Sequence, residues 1–305
     1  SRRADPGYHL IAGGRRAFEA VIGYRPPPNA RFGRLGRKVG IGGYVGAKLA
    51  LAGEQVTFLV RGGNLEAIRR KGMTLQTADG NIHVARNVAA TDDYAAAGTH
   101  DVVILAMKAH QVEAVLPQLH HLLGDETVIV PMQNGIPFWY FHGHGGKLAG
   151  SVVRSVDPNG ALLAGIDAKR ILGCVVYPAS ELVAPGVVHH IEGERFPIGE
   201  LDGSVSARAT RVSECFARGG LKAPVLEDIR AEMWLKLWGN LTFNPISALS
   251  HATLVDICQF PQTRELAASM MREAQAVAEH LGITFRVSLD KRIAGFKREL
   301  EEVRR

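Results

Sequence analysis

The chain has 305 residues, of which 46% are hydrophobic and 22% are charged, a composition ordinary for a globular protein of about two domains. No run approaches the roughly 20 apolar residues that a membrane-spanning helix needs, so we expect no membrane partner. The net charge of +6 belongs to residues 1–38, which hold nine Lys/Arg against two Asp/Glu and leave the rest of the chain nearly neutral.

Residues 1–38 form a Gly-, Pro- and Arg-rich head with little hydrophobic periodicity, which we expect to be weakly ordered. Such a head is compatible with a nucleic-acid-binding arm, an organellar presequence or an extension without a specific role. The last is the simplest interpretation, since the near-neutral remainder gives no second indication of a nucleic-acid partner.

The next segment predicts alternating strands and helices. After a Gly-rich turn, "YVGAKLAL" predicts a helix from Tyr44 to Leu51, and a strand follows over Val56–Val60. The stretches "DVVILAMK" and "ETVIVPMQNG" have the continuous apolar pattern of buried parallel strands. Together they predict βαβ units, and the ligands of such sheets bind at the carboxyl ends of the strands.

The glycine turn predicts a dinucleotide site. Glycines between a strand and a helix let the backbone approach a pyrophosphate at the helix N-terminus; the turn's glycines are Gly40, Gly42, Gly43 and Gly46. Where NAD-binding proteins place an acid about twenty residues on, this chain has Arg61, which favours the 2′-phosphate of NADP. Lys108 is expected to add a second positive charge near the adenine end. An ordinary surface arginine is the alternative for Arg61.

The remaining sequence predicts a hairpin over "ILGCVVYPASELVAPGVVHHI", a strand at "RFPIGE", and helices from Ser206 onward. Long helices are predicted over Ala231–Leu241 and Arg264–Leu281. We therefore expect a basic extension over residues 1–38, a Rossmann-like domain over 39–226 and a helical substrate-binding domain over 227–305.

The stretch "WLKLWGNLTFNPISAL" carries a polar stripe on an apolar helix. Lys236, Asn240 and Asn244 follow one another at spacings of four, so they share one helix face. A lysine among large apolar residues is costly unless it is paired or functional. The stripe is either a solvated helix edge or the wall of a cleft, and Pro245 is expected to kink or end the helix.

Neither the cysteines nor the histidines predict a metal site. Cys174, Cys215 and Cys258 are far apart, which predicts neither a disulfide framework nor a zinc knuckle and favours a reducing, cytoplasmic location. The paired histidines at 142/144 and 189/190 lack Cys or carboxylate partners at suitable spacing.

The motifs "GGYVGAKLA", "LVRG", "AMKAHQ", "MQNG" and "WLKLWGNLTFNPISAL" together resemble the 2-dehydropantoate 2-reductase (ketopantoate reductase) family, from about Val39 to Lys297. The resemblance implies an N-terminal Rossmann domain that binds NADPH and a C-terminal helical domain that closes the cleft. It implies reduction of the 2-oxo group of ketopantoate, a step of pantothenate biosynthesis, and it is compatible with a homodimer.

The resemblance also implies roles for particular residues. Lys236 is expected to be catalytic, binding the ketone oxygen and supplying its proton. Asn240 and Asn244 are expected to hold the lysine and the polar groups of the substrate. Asn134 is expected to lie beside both the nicotinamide and the substrate.

Both ends depart from the family pattern. "RLGRKVG" stands where an apolar first strand is expected, "VGIGGYVG" is about three residues shorter than the family's glycine motif, and "RELEEVRR" stands where the family has a substrate-binding serine and glutamate. We therefore expect an incomplete helical domain, weak activity and marginal stability. The alternatives are a reductase of another small 2-oxo acid, a catalytically impaired nucleotide-binding relic, and a nucleic-acid binder acting through the head.

Overall fold

The computed structural model describes residues 40–293. The predictions for the basic head, for the strand before the glycine turn and for the "RELEEVRR" end fall outside these residues. The first part of the described chain alternates helices and strands as predicted. Its elements are α1 (Ile41–Leu51), β1 (Val56–Leu59), α2 (Gly63–Lys71), β2 (Met73–Gln76), β3 (Ile82–Ala85), β4 (Val88–Thr91), α3 (Tyr94–Ala97), β5 (His100–Leu105), α4 (Ala109–Val112), α5 (Leu116–Leu119) and β6 (Leu123–Pro131).

Two pairs of parallel strands form the sheet core of this part. Strand β1 pairs with β4, and β5 pairs with β6, both in parallel register. Within the described residues the two pairs are not hydrogen-bonded to each other. Helix α1 packs against both, since Gly46 lies against Phe58 of β1 and Gly42 against Ala106 just after β5. The parallel strand pairs and the covering helix confirm the predicted βαβ organisation.

Helix α1 begins earlier than the sequence predicts. Its N-cap is Gly40, whose carbonyl accepts from the Tyr44 N–H at 2.8 Å. The first helical turn therefore contains Gly42 and Gly43. A Cβ on Gly46 would lie 2.5 Å from the Phe58 ring, and one on Gly42 would lie 2.9 Å from the Ala106 Cβ. The predicted start at Tyr44 is therefore wrong, because these glycines are needed inside the helix for its close approach to the strands.

The second part covers the other face of α1. Its elements are α6 (Ala161–Gly165), β7 (Gly173–Cys174), β8 (Ala179–Ala184), β9 (Val187–Glu192), β10 (Ile198–Gly199) and α7 (Ala207–Arg218). The predicted hairpin is confirmed, since β8 and β9 pair in antiparallel register and join β2 and β3 in a four-stranded sheet. Gly43 and the stacked rings of Tyr44 and His190 link α1 to this sheet.

The third part is helical, as predicted. It consists of α8 (Ile229–Ser250), α9 (Leu254–Gln259) and α10 (Pro261–His280). Trp238 of α8 is fully buried, and its indole N–H donates to the Met271 carbonyl of α10 at 3.1 Å. No helix within residues 40–293 is long and apolar enough to cross a bilayer.

Proline 245 does not end α8, contrary to the prediction, because the helix continues for five residues to Ser250. Proline inside a helix costs about 3 kcal/mol. Phe243 and Ile246 on either side of it are buried in the core shared with α9 and α10, and burying each such side chain contributes roughly 1.5–3 kcal/mol. Packing therefore offsets the local cost of the proline.

Candidate active site

Three side chains predicted to bind ligands lie just beyond the carboxyl ends of parallel strands. Arg61 follows β1, Lys108 follows β5 and Asn134 follows β6. Gln133 joins the ends of β5 and β6, since its amide nitrogen donates to the Leu105 carbonyl at 2.6 Å and to the Met107 carbonyl at 3.0 Å. These bonds hold the neighbouring Asn134 in place at the edge where an open α/β sheet binds its ligand.

The lysine of α8 reaches this edge. The Lys236 ammonium donates to the Asn134 side-chain oxygen at 2.6 Å and to the Val176 carbonyl. The start of α8 is fixed by Arg230, a buried arginine that donates to the carbonyls of Tyr140 at 2.8 Å and Leu201 at 2.6 Å. The helical part thus presents a charged group directly to the end of β6.

Burial changes the acidity of this lysine. Desolvation lowers the pKa of Lys236 to about 8, and the nearby Cys174 acts in the opposite direction. The Cys174 thiol is itself buried, which raises its pKa to about 12, so it is neutral at ordinary pH. An ammonium with a pKa near the working pH is suited to both holding and releasing a proton.

A cleft surrounds the ammonium. The cleft opens between the Gln133–Pro137 loop and α8. Its walls are formed by Pro131, Gln133, Asn134, Gly135, Pro137, Trp139, Cys174, Val175, Val176, Met233, Lys236, Leu237 and Asn240. A smaller, mostly apolar pocket shares Asn134 and is lined by Val112, Ile136, Phe138 and Leu162 among others.

The two asparagines predicted to accompany Lys236 are placed differently. Asn240 lies one turn further along α8 and lines the cleft. Asn244 is exposed and lies outside the residues that line it. At 1.5 Å of rise per residue, Asn244 stands about 12 Å along the helix from Lys236, which explains why the two do not meet in this conformation.

The predicted cofactor glycines Gly40, Gly42 and Gly43 lie in the cap and first turn of α1. No carboxylate lies in the first turn of α1, and no side chain of the described residues caps it, so this helix end carries no anionic side chain of its own. Gly40 is buried against the backbone of Ser180 and Glu181 in β8, while Gly42 and Gly43 lie in the first turn. Arg61 is exposed.

Lys108 is exposed and caps α4 directly after Met107, whose carbonyl binds Gln133. This position is beside Asn134, on the strand pair that does not contain Arg61. The expectation that Lys108 adds a second positive charge near the adenine end stays a prediction.

The sequence did not indicate Val176, Tyr177 or Glu232 as part of the site. Val176 enters through a backbone carbonyl, which no residue type reveals. Glu232 could have been noticed, because it stands four residues before Lys236 and extends the polar stripe by one turn. Tyr177 reaches Glu232 only through the tertiary fold.

Metal ligands and disulfides are not part of this arrangement. Among residues 40–293, no three His, Cys, Asp or Glu side chains are grouped closely enough to hold a metal ion. All three cysteines are free.

The sheet edge facing a desolvated lysine across a cleft defines a Rossmann-type oxidoreductase with a helical second part. The family model described as ketopantoate reductase PanE/ApbA matches residues 40–203, and the model of the corresponding C-terminal part matches residues 228–304. The chain therefore belongs to the ketopantoate reductase family.

Individual relatives agree with the family models. The chain is similar to the 2-dehydropantoate 2-reductase of Mesorhizobium japonicum, with 49% identity over 257 residues that cover 84% of this chain and 78% of the relative. The Nostoc sp. enzyme of the same name is 26% identical, covering 79% of this chain and 70% of its own.

Solved structures show the same architecture. A protein from Ralstonia solanacearum MolK2 assigned as a ketopantoate reductase superposes with a TM-score of 0.80 at 39% identity, covering 86% of this chain and 81% of that one. The 2-dehydropantoate 2-reductase of Geobacter metallireducens GS-15, with a TM-score of 0.71 and 24% identity over 87% of this chain and 81% of its own, shares the fold.

The lowered pKa of Lys236 predicts a pH dependence of stability. Between pH 8 and 10.5 the lysine is deprotonated when folded and protonated when unfolded, so raising the pH favours the folded state. Below pH 8 both states are protonated and the full desolvation cost is present. The unfolding free energy of the protein should rise relative to that of Lys236→Met by at most roughly 3 kcal/mol over this window. Denaturant titrations at several pH values measure the difference; parallel pH curves for the two proteins would contradict it.

Proposed function

We propose that this protein reduces the 2-oxo group of 2-dehydropantoate (ketopantoate) to the alcohol, pantoate, with NADPH as the reductant. The observation that carries the proposal is the desolvated Lys236 ammonium, held by Asn134 and Val176 in the cleft at the end of β6. The 49% identical relative from Mesorhizobium japonicum, named 2-dehydropantoate 2-reductase, supports this substrate, and the family supports NADPH.

The residues present fit a dinucleotide phosphate. The first-turn N–H groups of α1 meet no carboxylate on their own helix, so they are suited to the pyrophosphate. We assign this contact to the segment of Gly40, Gly42 and Gly43, with Gly40 supporting the turn from its buried position. Arg61 is exposed just after β1 and is assigned to the 2′-phosphate. Lys108, exposed just after β5, is assigned to the adenine end of the cofactor as a second positive charge.

The chain's own contribution to the reaction is charge stabilisation and proton transfer. NADPH supplies the hydride. As the carbonyl carbon is reduced, negative charge develops on its oxygen, and the half-buried Lys236 ammonium stabilises that charge. The same ammonium then donates its proton to the oxygen, which a pKa of about 8 allows near neutral pH. Asn134 keeps the ammonium at the end of β6, where we place the reacting carbon.

The asparagines of α8 have supporting roles. Asn240 lines the cleft one turn from Lys236, so we assign its amide to a polar group of the substrate. We assign Asn244 to the outer end of the substrate, reached when the helical part closes over the bound molecule. We assign the apolar side chains next to Asn134 to the two methyl groups that ketopantoate carries on the carbon beside its ketone.

Two alternatives remain distinct from this proposal. A reductase of another small 2-oxo acid would use the same lysine on a substrate with a different tail. A nucleotide-binding relic would bind NADPH without turnover. A cytoplasmic location and a homodimer belong to the proposal as well: the free cysteines favour a reducing compartment, and the homodimer rests on the family resemblance alone.

Turnover by the unmodified protein and by Lys236→Ala tests the proposal. We expect NADPH oxidation with ketopantoate to exceed that with other 2-oxo acids. Lys236→Ala should lower kcat by about 10²–10³-fold, as loss of one oxyanion donor does elsewhere, with little change in NADPH binding. The kcat of Asn240→Ala should lie between those of the unmodified protein and Lys236→Ala.

The exposed Lys147→Ala, away from the cleft, is the matched control and should keep full activity. Preference for another 2-oxo acid would select the first alternative. NADPH binding without turnover of any 2-oxo acid would select the relic, and near-normal turnover by Lys236→Ala would remove the lysine from the mechanism.

Arg61→Asp tests the assignment of the 2′-phosphate. The unmodified protein should prefer NADPH over NADH, and the substitution should reduce that preference because a carboxylate repels the phosphate. Kd values for both cofactors measure the effect, with Arg70→Asp on the exposed face of α2 as a control of equal charge change. Equal binding of the two cofactors by the unmodified protein would refute the assignment.

A further inference from the structure

The aromatic ring of Tyr177 lies against the reactive lysine. Tyr177 directly follows Val176, the residue whose carbonyl accepts from the Lys236 ammonium. The Lys236 Nζ stands 5.5 Å from the centre of the Tyr177 ring. This separation is within the range over which a cation is attracted to an aromatic face. The segment thus contacts the ammonium twice, once through a carbonyl and once through a ring.

The other end of Tyr177 is anchored on the helix that carries the lysine. The Tyr177 hydroxyl donates to the Glu232 carboxylate at 2.8 Å. Glu232 is 2% exposed and precedes Lys236 by four residues, so it lies one turn earlier on the same face of α8. One face of α8 therefore carries both the Lys236 ammonium and the Glu232 carboxylate, and Glu232 fixes the Val176–Tyr177 segment that contacts the ammonium.

The charge of Glu232 is balanced by arginines. Arg195 and Arg286 both bind its carboxylate, and the Arg195 guanidinium lies 5.3 Å from the centre of the Tyr177 ring. A buried carboxylate is costly without such partners. With them, Glu232 can act as an anchor for Tyr177 without adding an unbalanced negative charge near Lys236.

We propose that Tyr177, anchored by Glu232, is a positioning residue for Lys236 that places the Val176 carbonyl and offers its ring face to the ammonium. This inference rests on the proposed function, in which Lys236 gives its proton to the substrate. Neither Tyr177 nor Glu232 needs to touch the substrate.

The Tyr177 ring is expected to resist deprotonation of the half-buried lysine, together with the oxygens of Asn134 and Val176 that accept its hydrogen bonds. The other groups facing Lys236 are the neutral Asn134 amide, the Val176 carbonyl and the Cys174 thiol, which stays protonated below about pH 12. The more distant charges are Glu232 with its two arginines, and Arg292, which acts on Tyr177. Replacing the ring with an aliphatic side chain keeps the site apolar but removes the attraction to the ammonium.

The test compares Tyr177→Leu, which removes the ring, with Tyr177→Phe, which removes only the anchor. Tyr140→Phe is the matched control, because the Tyr140 hydroxyl also bonds to α8, accepting from Trp234 at 2.7 Å, but lies away from the ammonium. The pH dependence of acetylation of Lys236 by acetic anhydride, followed by peptide mass spectrometry, gives the titration of the lysine. Steady-state turnover from pH 6 to pH 10 is measured in parallel.

We expect the Tyr177→Leu lysine to titrate about half a unit to one unit lower than in the unmodified protein, with the fall of kcat at high pH moving by the same amount. Tyr177→Phe should show a smaller shift and a several-fold lower kcat with unchanged KM for NADPH. Tyr140→Phe should alter the Tm of the protein, but it should change neither the titration of Lys236 nor the pH dependence of kcat. An unshifted Lys236 titration in Tyr177→Leu would overturn the proposal.

If Tyr177→Leu does not fold, Tyr177→Phe serves as the test of the proposal, because it deletes a single oxygen and so disturbs packing least. Unchanged kcat and unchanged titration in Tyr177→Phe would then overturn the proposal. The acetylation readout requires no turnover, so a protein that fails to reduce ketopantoate refutes the proposed function while leaving the titration test of Tyr177 intact.

Discussion

The contact between the Lys236 ammonium and the Asn134 side chain is the interaction on which the site depends. It joins the helical part to the end of a parallel strand, and it offsets part of the cost of taking an ammonium out of water. The same desolvation lowers the pKa of the lysine into the range useful for proton transfer. Burial is thus both the energetic cost of this site and the source of its chemistry.

The rest of the fold serves this contact from two sides. On the sheet side, Gln133 ties the ends of β5 and β6 together and so fixes its neighbour Asn134. On the helix side, buried Arg230 fixes the start of α8, and Trp238 and Phe243 pack it into the C-terminal core.

The sequence predicts those parts of the site that depend on the type and spacing of side chains. The glycines of α1, the strand ends bearing Arg61 and Asn134, and the spacing of Lys236 and Asn240 all follow from periodicity and from the chemistry of sheets and helices. The Val176 carbonyl could not be found, because every residue has one. The expectation that the helix ends at Pro245 was wrong, since local propensity cannot report that Phe243 and Ile246 are buried together in a tertiary core.

A double-mutant cycle of Lys236→Ala and Asn134→Ala, measured as kcat/KM for ketopantoate, tests the central claim most directly. If Asn134 acts by holding the ammonium in place, the double variant should be hardly slower than Lys236→Ala alone, because residues that work as a unit are not additive. Losses that multiply in the double variant would contradict the account, since they would mean that Asn134 and Lys236 contribute to the reaction independently.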